Sequence, residues 1–432
     1  MDLIFFNTPG ASEIDFGKPV YQRIWLSTVA DMTSVVLEVY QRASTEISTI
    51  YFEDCLTVKR EELPESASAF TVQVPVIPSP VRRIAFFSAS DTLSFLLSPV
   101  ILKLQEKNNH IQTLAWHRIN PNVRAKEGFE SNEVKSTRFS FFRFLWHRPD
   151  ILVMGNDWTM DAQLLIALGR WLGIRTVCIQ ESVIDLVDKK IARMRWADFA
   201  LLQGAVAAGQ VPERQMVFLT GNPRYEKLKF QQPRNTQPFF LVNCNFTYGL
   251  YEDQRQNWLN PVIELLETLN LDYVIAQHPR DSGDLSGYKN VVQTNAAVIH
   301  ELIERSDCII SRFSSVLHEG LFLGKRAVYF NPHGESIGYD YGFDGSALSY
   351  ATNKNELLQA LNRILEASES GPAVFKPYLE KNCHHGLGIP SETIAALLPD
   401  LMAMKGDGKP ISMFRVLLGT IKFYYFSKKK QR

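Results

Sequence analysis

The sequence predicts an α/β protein built from two doubly wound parallel sheets. Short apolar runs alternate with longer stretches of helical periodicity, the pattern of strands buried on both faces beneath covering helices. The alternation stops at a polar, proline-containing stretch, Gln231-Gln232-Pro233-Arg234-Asn235-Thr236-Gln237-Pro238, and then begins again. A chain of 432 residues also exceeds what one hydrophobic core usually serves, since domains run to about 100 to 200 residues.

In the first half, residues 84–87 read as a strand, 93–105 as a helix, 151–154 as a strand, 160–172 as a helix and 175–179 as a strand. The strand runs are apolar throughout rather than alternating, which calls for a parallel sheet covered on both faces. Residues 47–52 and 70–76 also read as strands, but 64–80 is rich in Pro and Ser, and the first 80 residues are read as an elaboration of the first domain. Thr220-Gly221-Asn222-Pro223-Arg224 closes this half. The second series runs strand 239–242, helix 257–269, strand 273–276, helix 297–305, strand 308–311, helix 316–323, strand 327–330 and helix 354–367. The expected division is 1–230 for the first Rossmann-like domain, 231–395 for the second, and 396–432 for a closing helix and a basic, aromatic tail. No period of about 20 to 50 residues recurs, which excludes a solenoid.

Lys plus Arg and Asp plus Glu each number 46, so the formal charge is zero and no surface for nucleic acid is implied. No run reaches the roughly 18 to 20 apolar residues that cross a bilayer. Residues 414–432 are the uneven part, with Phe414, Ile421, Phe423, Tyr424, Tyr425 and Phe426 ahead of Lys428-Lys429-Lys430-Gln431-Arg432. This suits a peripheral anchor that seats aromatics at the headgroup level, each cation gaining about 1 kcal/mol from anionic lipid. A helix packed on the protein itself is the alternative. A second aromatic and basic run, 139–148, leads directly into a strand and is expected in the core. The five cysteines are odd in number and far apart, which fits reduced thiols rather than a disulfide framework. Cys383-His384-His385 has no second pair at ligand spacing, so no metal site and no cofactor is expected. The opening residues, 1–7, lack the basic and long apolar regions of a secretory signal and read as a strand.

The residues that carry chemistry fall at strand ends. Gln277-His278-Pro279-Arg280 closes one strand, where Pro279 ends the ladder and leaves His278 and Arg280 directed at the sheet's crevice. Alone, such a His more often caps its own loop. Its downstream partners change that: Ser314 and Ser315 open the helix after the strand 308–311, where free backbone N–H groups meet a phosphate. Serines there also serve simply as N-caps. Glu319 shares a helix face with Ser315, and a carboxylate in that place can accept ribose hydroxyls. Asn243-Cys244-Asn245-Phe246-Thr247-Tyr248-Gly249 follows the first strand of this half, and Asn245 and Thr247 are candidates to line the phosphates, or simply turn residues. Pro332-His333-Gly334-Glu335-Ser336 sits at the next strand end, over the site of a base. In the first half, the strand 175–179 delivers Gln180-Glu181-Ser182, and Glu181 is the candidate general base, with Asp185 and Asp157 as fallbacks. A surface or capping carboxylate is the competing account of Glu181.

Across residues 150–395 this arrangement resembles the bacterial GT-B glycosyltransferases that build capsules and lipopolysaccharides, above all the inverting sialyl- and Kdo-transferase groups with their His-Pro and Ser-Ser motifs. It is similar also to the CDP-glycerol-type polyol-phosphate transferases and, more distantly, to the UDP-N-acetylglucosamine 2-epimerases. The resemblance implies a GT-B fold, two Rossmann-like domains facing a cleft, with His278, Ser314 and Ser315 on the donor's nucleotide and phosphate. Glu319 matches the epimerases' acidic residue on ribose. Where those enzymes show Ser-Gly-Gly this chain has Ser314-Ser315-Val316, which argues against epimerisation. Where the sialyl- and Kdo-transferases show an acidic pair and Gly, this chain keeps only Glu181.

The function so implied is metal-independent transfer of a nucleotide-activated sugar, Kdo-like or sialic-acid-like from a CMP donor, to a lipid-linked saccharide. It would proceed with inversion at the inner face of the cell membrane, in a cytoplasmic protein held there by residues 414–432. A polyol-phosphate transferase, a UDP-sugar 2-epimerase and a non-catalytic assembly scaffold are the alternatives.

Overall fold

A computed structural model of the protein describes residues 2–6, 24–25, 49–52, 71–73, 83–107, 110–118, 124–183, 194–211, 217–231, 238–247, 251–336, 339, 341, 343, 345–367, 371–384, 386, 388–402, 404, 406 and 408–411. The basic tail at 414–432 and Asp185 lie outside them. The chain divides into two compact units. Met1–Glu181, Lys189–Arg224 and Gly386–Arg432 form the first, while Ser182–Asp188 and Tyr225–His385 form the second. The second series thus begins at Tyr225, and the chain is back in the first unit from Gly386 rather than staying in the second to 395.

The opening residues carry a parallel sheet of their own, made of β1 (Asp2–Phe6), β2 (Ile24–Trp25), β3 (Thr49–Phe52) and β4 (Thr71–Gln73) in the order β2-β1-β3-β4. A seven-stranded parallel sheet follows: β5 (Arg83–Ser88), β6 (Gln112–His117), β7 (Thr137–Arg138), β8 (Ile151–Met154), β9 (Arg175–Ile179), β10 (Phe199–Leu202) and β11 (Val217–Leu219). Its order is β11-β10-β9-β8-β5-β6-β7, so the chain starts in the middle, winds to one edge and then to the other. Helix Asp91–Lys107 buries Leu93, Leu96, Leu97, Val100, Ile101 and Leu104 against it, a spacing of three and four that keeps them on one face. The closing helix, Pro390–Asp400, adds Ile394, Leu397 and Leu398 to the same core. Pro390 opens that helix after Ile389, and Ser391 lies inside it, buried.

The second unit holds β12 (Phe239–Cys244), β13 (Asp272–Gln277), β14 (Val291–Gln293), β15 (Cys308–Ser311), β16 (Arg326–Phe330) and β17 (Leu348–Ala351), all parallel, in the order β14-β13-β12-β15-β16-β17. Helix Arg255–Thr268 packs Trp258, Leu259, Val262 and Leu266 on one face, and the Trp258 indole N–H donates to the Phe330 carbonyl at 2.8 Å. Helix Ser315–Phe322 lies so close to β15 that a Cβ on Gly320 would run into the Ile309 side chain. Gly324 ends it at φ +78°, the left-handed turn that glycine adopts without strain.

The run 139–148 is core only in part: Phe144 is buried, and the half-buried Phe139 packs edge-on against Phe87 and Trp116. Helix Phe141–His147 joins the two-residue edge strand β7 to β8, which lies further in past β6 and β5, and buries Phe144 alone among its residues. So short a helix has one inward row, and Phe142 and Trp146 stand in solvent.

Candidate functional site

Counting β12 as the first strand of its unit gives the order 3-2-1-4-5-6, which reverses between β12 and β15. At such a reversal the loops leave in opposite directions and open a crevice at the carboxyl ends of the strands. Asn243 and Ser311 lie opposite each other there, and the Asn243 amide donates to the Ser311 hydroxyl at 2.8 Å, a polar rung topping an apolar ladder.

Asn245 spans the reversal. Its Nδ2 donates to the Phe313 carbonyl at 2.8 Å, tying the loop after β12 to the loop after β15. Its Oδ1 is buried and has no protein partner. Such an orphaned acceptor asks for a donor from elsewhere. Thr247, two residues on, is buried.

His278 closes β13 on the other side of β12. Its N–H continues the ladder to the Cys244 carbonyl at 3.0 Å, and its Nδ1 accepts from the Arg280 N–H at 3.1 Å. The ring proton therefore sits on Nε2. Burial holds the imidazole below its ordinary pKa against the opposing pull of Asp281, so the ring is a neutral donor near pH 7. Asp281, itself buried, takes the Arg255 guanidinium at 2.6 Å and the Gly283 N–H at 2.9 Å, which shapes the turn carrying Pro279 and Arg280. Both of those are exposed. The Cys244 thiol beside Asp281 is pushed up to about 12 by burial and by that carboxylate, so it is no nucleophile.

Ser314 is the N-cap of helix Ser315–Phe322, its Oγ accepting from the Val316 N–H at 3.2 Å, and Ser315 is the first helical residue. His278 and Ser314 leave strands that flank β12, about 10 Å apart at the backbone, with Asn245 between them. Glu319 follows one turn after Ser315, but its side chain is 4% exposed and its carboxylate stands 3.8 Å from His300 Nδ1.

Beneath this layer lies a network absent from the sequence-based reading. Arg312, 1% exposed, donates from Nε and Nη2 to Glu335 Oε2 at 2.8 and 2.6 Å, and from Nη1 to the Asn245 carbonyl at 3.3 Å. Its guanidinium lies 4.2 Å from the Phe246 ring centroid. Glu335 also accepts from the Tyr329 hydroxyl at 2.9 Å, meets His333 Nε2 at 3.0 Å, and is anchored through its own N–H to Asn331 at 2.7 Å. The loop 332–336, expected to lie over a base, thus turns Glu335 inward to brace the loop that bears Ser314. The signal was an arginine at one strand end and a glutamate at the next, which must pair once both are buried.

In the first unit, Glu181 follows β9, with its side chain half-buried and its carbonyl accepting from the Asn222 amide at 3.0 Å. Gln180 is buried and caps the Gln203 N–H at 3.0 Å. Asp157 is wholly buried and accepts from the N–H groups of Met194, Trp196 and Ala197 at 2.9, 2.6 and 3.1 Å. It organises a chain segment and cannot serve as the fallback base. Among the described residues no group of three His, Cys, Asp or Glu side chains is placed to hold a metal.

No protein-family model and no curated protein matches the chain. Solved structures do. The UDP-GlcNAc 2-epimerase of Neisseria meningitidis, bound to UDP-GlcNAc, superimposes with a TM-score of 0.56 at 14% identity, over 73% of this chain and 99% of that one. The UDP-GlcNAc 2-epimerase of Methanocaldococcus jannaschii, in complex with UDP-GlcNAc and UDP, gives 0.54 at 15% identity over 73% and 99%. The glycotransferase of kitacinnamycin gives 0.50 at 13% identity over 74% and 99%. Likeness at these identities speaks to architecture. The chain is therefore an α/β protein of the GT-B fold, two units of parallel sheet and covering helices.

Proposed function

We propose that the protein uses a nucleotide-activated sugar, bound by the second unit at the ends of β12, β13 and β15, and transfers the sugar to an acceptor hydroxyl. One observation carries this reading. At the reversal of strand order Asn245 bridges the two loops through Nδ2 and leaves Oδ1 unpaired, with the neutral Nε2–H donor of His278 on one side and the helix opened by Ser314 and Ser315 on the other. The His278 Nε2–H and the helix N-terminus are donors held in place, as a departing nucleotide's phosphate requires, while the Asn245 Oδ1, an acceptor, suits a hydroxyl or N–H of the nucleoside. His278, Arg280, Ser314, Ser315 and the helix N-terminus meet that charge without a metal, while Asn245 and Thr247 line the nucleotide.

The finer reading is a CMP-linked, Kdo-like or sialic-acid-like donor and a lipid-linked saccharide acceptor in surface-glycan assembly, with Glu181 removing the acceptor's proton and residues 414–432 holding the protein at the inner membrane face. A second reading is favoured by the neighbouring epimerases, which bind UDP-GlcNAc; against it stands Val316 where close backbone approach calls for glycine.

A thermal-shift panel of CMP, CDP, UDP and GDP tests the core of the proposal, because ligand at a hundred times its Kd adds about 2.7 kcal/mol. Stabilisation by one of them, abolished in His278→Ala with its unliganded melting temperature retained, is the expected result. If no nucleotide stabilises the protein, the proposal falls and a scaffold remains. Interconversion of UDP-GlcNAc without an acceptor would instead establish the epimerase, and release of a phosphodiester product the polyol-phosphate transferase.

A further inference from the structure

We infer that helix Phe141–His147 and the adjoining end of helix Met160–Trp171 form a second, structured membrane-docking surface that takes an anionic lipid bilayer. It lies in the first unit and is independent of which nucleotide the second unit binds. Four large apolar side chains of one short helix face outward: Phe141 is 42%, Phe142 73%, Leu145 53% and Trp146 74% exposed. Phe142 and Trp146, one turn apart, stack with centroids at 6.0 Å, so they form one ledge rather than scattered contacts. Phe144 alone points inward, 6.0 Å from Trp116, and locks the helix in place.

Two arginines join this ledge to its surroundings. Arg83 Nη1 donates to the His147 carbonyl at 2.8 Å, and Arg148 Nη2 donates to the Leu172 carbonyl at 2.9 Å. The second bond brings in Trp171, 74% exposed at the end of its own helix. Along this stretch of sequence the charge is one-sided. From Val134 to Pro149 the chain has Lys135, Arg138, Arg143 and Arg148 and no acid, the bounding carboxylates being Glu133 and Asp150, of which Asp150 accepts the Arg83 N–H at 2.9 Å. Exposed Trp and Phe among cations of one sign is the composition that settles at a headgroup layer, where rings enter the interface and guanidinium groups meet lipid phosphate. A protein partner would need a complementary acidic face, and becomes an outcome of the test.

The test is sedimentation of the full-length protein with phosphatidylcholine vesicles, with and without phosphatidylglycerol. The variants are Phe142→Ser/Trp146→Ser and Arg143→Glu, each made both alone and together with Lys428→Gln/Lys429→Gln/Lys430→Gln, which weakens the tail separately. All substituted side chains at 142, 143 and 146 are exposed, so the melting temperature should hold. The expected result is a loss of about tenfold or more in vesicle partition for the serine pair, in both tail backgrounds. Arg143→Glu should weaken binding to the anionic vesicles only. Partition unchanged by the serine pair, or failure of the unaltered protein to bind anionic vesicles, overturns the proposal. So does a serine pair that changes the protein's oligomeric state and leaves lipid binding intact, which would make the ledge a protein interface.

Discussion

Arg312 and Glu335 meet inside the second unit at 2.6 Å, with neither side chain more than 1% exposed. Each charge is tolerable there only because the other is present. Arg312 stands two residues before Ser314, and its third nitrogen reaches the Asn245 carbonyl, so the pair braces both loops at the reversal of strand order.

Replacing one partner should be costly and replacing both should not. Glu335→Leu leaves a buried guanidinium unmatched and should lower unfolding free energy by about 3 to 5 kcal/mol, whereas Arg312→Met/Glu335→Leu should recover most of it. Urea denaturation of the two variants decides.

Asn245→Ala should act on the site more than on the fold. Loss of one neutral hydrogen bond costs about 1 kcal/mol of stability. Losing the bridge to Phe313 together with the free Oδ1 should raise the Kd of the stabilising nucleotide about tenfold, measured by calorimetry.

Asp157→Ala should be severe without touching nucleotide binding. Three backbone N–H groups lose a charged acceptor at once, a cost of about 3 kcal/mol or more. Circular-dichroism melts and nucleotide affinity measured below the transition separate the two effects.

His318 gives the protein an acid sensitivity of known sign. It is fully buried among Tyr225, Tyr339, Tyr341 and Tyr378, and burial holds its pKa at about 3 instead of 6.5. As pH falls below 6.5 the unfolded chain takes up a proton that the folded one refuses. Its contribution is therefore intact above pH 6.5 and shrinks by about 1.4 kcal/mol per unit as pH falls toward the folded value. His318→Gln should flatten the pH dependence of stability between pH 6 and 4 by that slope.

Gly324→Ala should destabilise by about 1 to 3 kcal/mol, because φ is +78° there and the added carbon would meet the Phe230 ring at 2.4 Å. Chemical denaturation of the variant reads this directly.

Much of the architecture was legible in the chain. β8, β9 and β15 fall at 151–154, 175–179 and 308–311 as read, because each is a buried apolar run bounded by turn residues. β6 and β14 went unread because Gln112 to His117 and Val291 to Gln293 mix polar and apolar residues away from the sheet centre. β10, Phe-Ala-Leu-Leu, suits a helix as well as a strand until its neighbours are known. At the site, His278 and Ser314 announced themselves through strand-end position. Arg312 and Glu335 did not, since a charge at each of two strand ends reads as a pair only once both are known to be buried. Phe142 and Trp146 were misread for the opposite reason: aromatic density signals a core only when two layers enclose it, and here there is one.

The helix Pro390–Asp400 inverts the order in which the halves reach completion. Residues 225–385 have every described strand of their sheet available before the closing helix is made. The earlier-made unit must wait for Ile394, Leu397 and Leu398 to leave the ribosome before the core begun at Ile84 can close. The nascent N-terminal half therefore stays open longest, and a stop codon shortly after position 385 would cripple the part of the protein made first.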